Sequence, residues 1–245
     1  MSKAQIIGKC VGIALVVLLL IGAVVAGVRM TPHKQACVSI TYVIEDAQER
    51  MYLMNGELGR LLLAQNLYPV GRTLQRGDLH RIERTITEHP MVRHAECYLT
   101  PREQMYIRLT QRVPVLRVET DNLRYFIDND RHVMPYRETI KDPVLTVRGH
   151  VSVGQAAGDL ADFALWLYKD RYWRERIQSV TVQSPFAIYI HLRGDYPRVL
   201  MGSMSGFERK LAKLRTFLDD GEEETADKHY RELDIRFKGQ VIGRK

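Results

Sequence analysis

The chain has 245 residues, of which 45% are hydrophobic and 27% are charged, a composition typical of globular domains. Its formal charge of +7 would suit a nucleic-acid partner, but basic and acidic residues alternate at 128–131 and 174–176, as on an ordinary solvated surface. The three cysteines are too few and too widely spaced for a disulfide framework. We therefore exclude nucleic-acid binding and predict that Cys37 and Cys97 are small buried apolar residues, with a bond between them as the alternative.

An uncharged run of eighteen residues, from Val11 to Val28, divides the sequence. As a helix it would measure ~27 Å, close to the ~30 Å hydrocarbon core of a bilayer. A cleaved signal peptide is the alternative, but its apolar stretch usually has only about 7–15 residues. We therefore predict a cytoplasmic segment at 1–10, a single transmembrane signal anchor at 11–29 and a linker at 30–36. The bulk of the chain would then lie in the periplasm or outside.

Hydrophobic patterns between residues 37 and 114 predict the order strand, helix, helix, strand, strand. Alternation at 37–44 indicates the first strand, and apolar residues spaced three and four apart indicate a helix at 55–66. A second helix would start with Asp78 as its N-cap and stop at His89-Pro90. Two strands flank the turn at 100–103. A sheet covered by helices on one face would bury all of these apolar residues, as in an α+β unit.

The second half, residues 115–245, is predicted to be β-rich with two packed helices. Its predicted strands are 115–118, 124–128, 131–134, 180–182, 188–192 and 199–201, and its helices are 154–169 and one that opens with a capping box at Ser205. The acidic stretch at 221–225 is predicted to be a loop. A closing strand follows at 230–237, with Leu233, Ile235 and Phe237 on one face and Asp234 and Arg236 on the other.

Motifs that carry catalytic or cofactor chemistry are missing from the sequence. It has no P-loop, no dinucleotide-binding glycine pattern and no zinc-protease helix, and its eight histidines lack metal-ligand spacing. Gly202 to Gly206 is similar to a nucleophile elbow, but Met204 stands where that motif needs serine. We predict no catalytic, cofactor or metal site. Carboxylate pairs for glycoside cleavage need no local motif, so a signal-anchored exported hydrolase is one alternative.

Four segments together carry a resemblance to a known family. They are the helix that ends at His89-Pro90, Ile107–Pro114 with its final Arg-x-Pro, the pair Tyr125–Asp128 and Val133–Pro135, and Tyr230–Phe237. In order and spacing they resemble the bacterial cell-division family FtsQ/DivIB, and the strand order at 37–114 resembles a POTRA domain. The resemblance implies a POTRA domain at 37–114 and a β domain at 115–245. A POTRA-type component of envelope assembly or transport is a second alternative.

For function, the resemblance implies a non-catalytic divisome scaffold in the cytoplasmic (inner) membrane at the division septum. Its implied partners are FtsB and FtsL, then FtsK and FtsW/FtsI, with no nucleic acid, cofactor or small-molecule substrate. In this family the last strands accept a segment of FtsB as an added strand. The matching positions are Tyr230, Leu233, Asp234, Arg236, Phe237, Gly239, Val241 and Ile242, with Met201, Phe207 and Arg209 in a second candidate contact. Phe237 matches one aromatic of a family pair, and the other position falls at Arg244.

Overall fold

The computed structural model describes residues 36–48, 51–53, 56–227 and 230–245, together with positions 16, 17 and 20. Of residues 221–227 it describes only the backbone. The predicted cytoplasmic segment, anchor and linker lie outside the described residues, apart from those three positions and residue 36. Within the described part of the chain, no helix combines the length and the apolarity that crossing a membrane requires.

The first part of the chain forms a three-stranded sheet with two helices packed against it. Its elements in chain order are β1 (Ser39–Ile44), α1 (Glu57–Ala64), α2 (Arg76–Thr87), β2 (Val92–Leu99) and β3 (Gln104–Gln111). The central strand is β3, which pairs in parallel with β1 and antiparallel with β2. Leu62, Ile82 and Ile86 on the helices are fully buried in the same cluster as Met105 and Ile107 of β3. The predicted order of elements is confirmed.

The start of α2 differs from the prediction. Gln75 is the N-cap, and Asp78 is the third residue of the helix, where its carboxylate accepts the backbone N–H of Gln75 at 2.9 Å. The prediction of Asp78 as N-cap was wrong because an acidic side chain also satisfies a free helical N–H from the third position, as in a capping box.

The second part forms a nine-stranded mixed sheet. Its strands in chain order are β4 (Pro114–Glu119), β5 (Arg124–Asp128), β6 (Val133–Pro135), β7 (Leu145–Gly149), β8 (Ile177–Ser184), β9 (Ala187–Leu192), β10 (Arg198–Gly202), β11 (Glu232–Asp234) and β12 (Ile242–Arg244). Their order across the sheet is β12-β11-β10-β9-β8-β7-β4-β5-β6. The sequence analysis missed β7, which lies parallel to both of its neighbours, β4 and β8.

Helices cover one face of this sheet. They are α3 (Val153–Gln155), a π-helical turn (Ala156–Leu160), α4 (Ala161–Lys169), α5 (Arg171–Arg176) and α6 (Phe207–Asp227). Helices α4 and α6 pack together, with the ring of Phe207 edge-on to those of Phe163 and Trp166 at 5.2 and 5.3 Å. The predicted acidic loop at 221–225 was wrong, because α6 continues through it. Glutamate and alanine favour helix, and an internal glycine costs only about 1 kcal/mol.

The two sheets meet at β5 and β6. Phe126 and Met134 from these strands are buried in the same apolar cluster as Ile107 of the first sheet. Beside them, Arg112 donates to the fully buried Asp128 at 2.7 Å, and Arg137 forms a two-point ion pair with Glu57. One edge of the large sheet is therefore held against the first unit. The other edge, β12, lies eight strand spacings away, or ~38 Å at about 4.8 Å per spacing.

Candidate partner-binding site

The chain closes as a hairpin rather than as one long strand. Strand β11 has only three residues, and it pairs in parallel with β10 and antiparallel with β12. The chain then turns through Gly239, whose φ of +76° favours glycine, and returns as β12. The predicted strand at 230–237 was therefore too long. Leu233 and Ile235 are buried as one face, but Phe237 lies in the connecting loop and is 44% exposed.

Strand β12 is the free edge of the large sheet. No strand among the described residues pairs with its outer side, so backbone N–H and C=O groups there face solvent. Ile242 and Arg244 are both exposed, while Gly243 lies beneath the ring of Tyr230. A Cβ on Gly243 would lie 2.4 Å from that ring, so only glycine fits. The edge is thus short and open, with an aromatic ring packed across its middle residue.

A network of charged side chains ties the last three strands together. The fully buried carboxylate of Asp234 accepts hydrogen bonds from Arg236 Nε at 2.9 Å, Arg236 Nη2 at 2.7 Å and Arg244 Nη2 at 2.8 Å. Glu232 pairs with Arg198 at 3.0 Å and with Arg244 at 3.3 Å. The hydrogen bonds from Arg236 in particular hold the pKa of Asp234 below its ordinary value. Because a carboxylate with such partners stays ionised, the network fixes the hairpin on β10.

A basic groove lies between the start of α6 and the hairpin loop, with a volume of about 460 Å³. Lys210 donates to the carbonyls of residues 201 and 203 at 3.2 and 2.8 Å, and Lys213 donates to those of Ile235, at 3.0 Å, and Phe237. Burial lowers the pKa of both lysines. The groove is lined by Ser205, Gly206, Arg209, Lys210, Lys213, Arg236, Phe237, Lys238 and Gly239. None of these residues is acidic, so the groove favours a negatively charged ligand.

The residues predicted from the sequence divide into three groups. Those that line the groove are Arg209, Arg236, Phe237 and Gly239. Those at the two ends of the hairpin, half-buried or exposed, are Tyr230, Val241 and Ile242. Those that pack inside and position the surface are Met201, Leu233 and Asp234, which are buried, and Phe207, which is half-buried against the core.

Sequence reasoning missed several residues that shape this surface. Lys213 follows Arg209 by four residues and Lys210 by three on α6, so helical spacing alone would have placed it next to both. No sequence pattern marked Gly243 or Glu232 as part of this surface. Their roles depend on the register between β11 and β12, which the sequence pattern does not specify.

Potential metal ligands and cysteines in the described part of the chain do not form a second candidate site. No group of three or more His, Cys, Asp or Glu residues there is placed to hold a metal ion. Cys37 is buried and Cys97 half-buried, and both are free. Burial raises the pKa of Cys97 to about 12, which keeps its thiol protonated and unreactive.

Two family models match the chain. One, described as a POTRA-like domain, matches residues 35–110. The other, described as FtsQ/DivIB, C-terminal related, matches residues 113–244, which is more than half of the chain and includes both the groove and β12. No curated protein matches the chain.

Proposed function

The chain belongs to the FtsQ/DivIB family of bacterial cell-division proteins, and on that premise we propose that it is a non-catalytic scaffold of the divisome. Residues 11–29 anchor it in the cytoplasmic membrane at the division septum, with a POTRA domain at 37–114 and a β domain at 115–245 outside. The β domain binds an exported segment of FtsB, which is associated with FtsL. FtsK and FtsW/FtsI are further partners.

The open edge of β12 is the observation that carries this proposal. An extended segment that pairs with it gains backbone hydrogen bonds along its length, which supply affinity without a deep pocket. The opposite edge of the same sheet, β6, is held against the first unit and ends in Pro135, which cannot donate a hydrogen bond. On the large sheet, as far as the structure describes it, a partner strand therefore has one favourable edge, β12, and it is the edge farther from the first unit.

The groove beside the hairpin supports the same site. Phe237 offers an exposed aromatic ring among cations, and Arg209 and Lys238 have no carboxylate partner among the described residues. A segment paired with β12 that continues past the hairpin loop would reach this groove. Apolar and acidic side chains on that segment would then fit Phe237 and the cations, which gives the strand addition its selectivity.

The experiment is a calorimetric titration of the full chain, in detergent micelles, with the exported segments of FtsB and FtsL from the same cell. Ile242→Pro removes the N–H that β12 donates to β11 at Asp234 and so detaches the edge strand that a partner would extend. Val133→Pro is the control at the opposite edge, where the side chain is similarly exposed and the N–H faces away from β5. We expect Ile242→Pro to abolish binding and Val133→Pro to leave it unchanged.

A second pair of variants tests the groove. We expect Phe237→Lys to weaken binding at least tenfold, a change of about 1.4 kcal/mol. Phe186→Lys is the matched control, since Phe186 is also an exposed phenylalanine but does not line the groove. Equal binding by all four variants, with circular dichroism unchanged, would remove the hairpin from the proposal.

A further inference from the structure

The start of β1 is held between two loops of the first unit. The N–H of Cys37 donates to the carbonyl of Arg72 at 2.9 Å, and the N–H of Gly71 donates to the carbonyl of Cys37 at 2.8 Å. On the other side, the N–H of Val38 donates to the carbonyl of Glu103 at 2.9 Å. The loop at 66–72 and the turn at 100–103 therefore lie at the same end of the sheet as the start of β1.

This end exposes a group of large apolar side chains. Val38 is 64% exposed, Leu63 58%, Tyr98 42% and Val70 37%. Tyr98 also stacks on Tyr106 of the neighbouring strand, with ring centroids 5.5 Å apart. Single exposed apolar residues are ordinary, but a group of them at one end of a domain indicates a surface that contacts something apolar.

Two arginines, Arg72 and Arg102, lie at the same end of the first unit as these side chains. Arg72 donates to the carbonyl of Asn66 at 2.7 Å, and neither it nor Arg102 pairs with a carboxylate among the described residues. The nearest acidic residue in the turn is Glu103, which is half-buried. We call this surface the apolar tip, and it consists of Val38, Leu63, Val70, Arg72, Tyr98 and Arg102.

The position of the apolar tip indicates its partner. Strand β3 runs from the turn at 100–103 to Gln111, where the junction with the large sheet begins, so the tip is at the end of the first unit away from that sheet. Residue 36, two positions before Val38, lies eight positions after Val28, so chain length alone keeps it within ~28 Å of the end of the apolar run. The side chains of the tip are also those found where proteins meet lipid headgroups: tyrosine, aliphatic residues and arginine.

We infer that the apolar tip docks on the surface of the membrane that holds the anchor, with phospholipid headgroups as its ligand. Tyr98, Leu63 and Val70 enter the interfacial layer, and Arg72 and Arg102 bind lipid phosphates. The inference rests on the proposed anchor at 11–29. Docking would set the orientation of the first unit on the membrane, and with it the direction in which the large sheet and β12 are presented.

The test uses the full chain in nanodiscs of phosphatidylethanolamine and phosphatidylglycerol that contain a lipid with a gadolinium chelate on its headgroup. Paramagnetic broadening of amide NMR signals then reports which residues lie at the lipid surface. We expect loss of signal at residues 38, 70–72 and 102–103, and intact signals at 242–244. A double variant, Leu63→Glu with Val70→Glu, should restore the lost signals, while Phe186→Glu, a still more exposed apolar site elsewhere, should not.

A second pair of changes tests the headgroup contact. Arg72→Gln with Arg102→Gln should restore part of the lost signal, and so should replacing phosphatidylglycerol by phosphatidylcholine. If the chain stays in the nanodisc but its tip signals are as strong as those of β12, the docking is refuted and the anchor stands. If the chain does not stay in the nanodisc, the anchor is refuted and the docking with it.

Discussion

Asp234 is the central acceptor of the charged network, and replacing it with asparagine tests whether that network holds the β11–β12 hairpin. The carboxylate accepts four hydrogen bonds, three from guanidinium groups and one from the backbone N–H of Arg236. Asparagine keeps one acceptor oxygen and places an NH2 group against Arg236 Nη2 and Arg244 Nη2, which are donors. Two charge-assisted bonds are therefore lost.

The size of the expected loss of stability follows from those two hydrogen bonds and from how exposed their arginine donors are. Each hydrogen bond to a charged group contributes about 1.5–3 kcal/mol. The side chains of Arg236 and Arg244 are 40% and 51% exposed, so water partly replaces the lost acceptor. We expect Asp234→Asn to lower the free energy of unfolding by about 2–3 kcal/mol, less than the ~3–5 kcal/mol typical of breaking a fully buried pair.

Urea unfolding followed by tryptophan fluorescence measures this change, because of the two tryptophans Trp173 is buried in the core of the second part and Trp166 packs against that core. With a slope of about 2 kcal/mol per molar urea, the midpoint should fall by roughly 1 M. Asp162→Asn is the control, since it removes an exposed ion pair with Arg131 and should change stability by less than about 1 kcal/mol. Equal midpoints for the two variants would refute the structural role of the network.

Three further outcomes are expected. Gly243→Ala should cost about 1–3 kcal/mol in the same assay, because its methyl group meets the ring of Tyr230, and the cost should largely vanish in a Tyr230→Ala background; an undiminished cost would place the strain elsewhere. Burial lowers the pKa of His89 in the folded state, so the unfolded chain binds the proton first, and stability should fall as pH drops below about 6.5. Thermal melts at pH 7 and pH 5 should show this fall in the wild type and a smaller one in His89→Gln. The lowered pKa of Asp234 predicts a second loss only below about pH 4, absent in Asp234→Asn.

Periodic apolar spacing made most of the fold predictable. The order of the first unit and the buried face of α4 followed from residues such as Ile82, Ile86 and Phe163, which recur with helical spacing and are fully buried. Strand β7 was missed because Leu145, Thr146 and Val147 are all buried, so it shows no alternation, and its five residues give a weak signal. A strand in which successive residues are all buried does not show the period of two.

The site was less predictable than the fold, for a physical reason. Alternation at Leu233, Ile235 and Phe237 suggested one continuous strand, but strand length depends on how many residues find a partner strand, and only 232–234 do. The burial of Asp234 likewise depends on Arg244, which is ten residues away and arrives only through the hairpin. The family resemblance pointed to the segment that forms this hairpin, but only the pairing register revealed β12 as the edge strand.

Hydrogen exchange of the backbone amides, with and without the exported FtsB segment, tests the central claim most directly. Strand addition at β12 predicts that the amide of Gly243, which points away from β11, becomes protected when the segment binds, while the outward amide of Val133 at the opposite edge exchanges as before. Binding that leaves the amide of Gly243 unprotected and instead protects amides elsewhere would contradict the account.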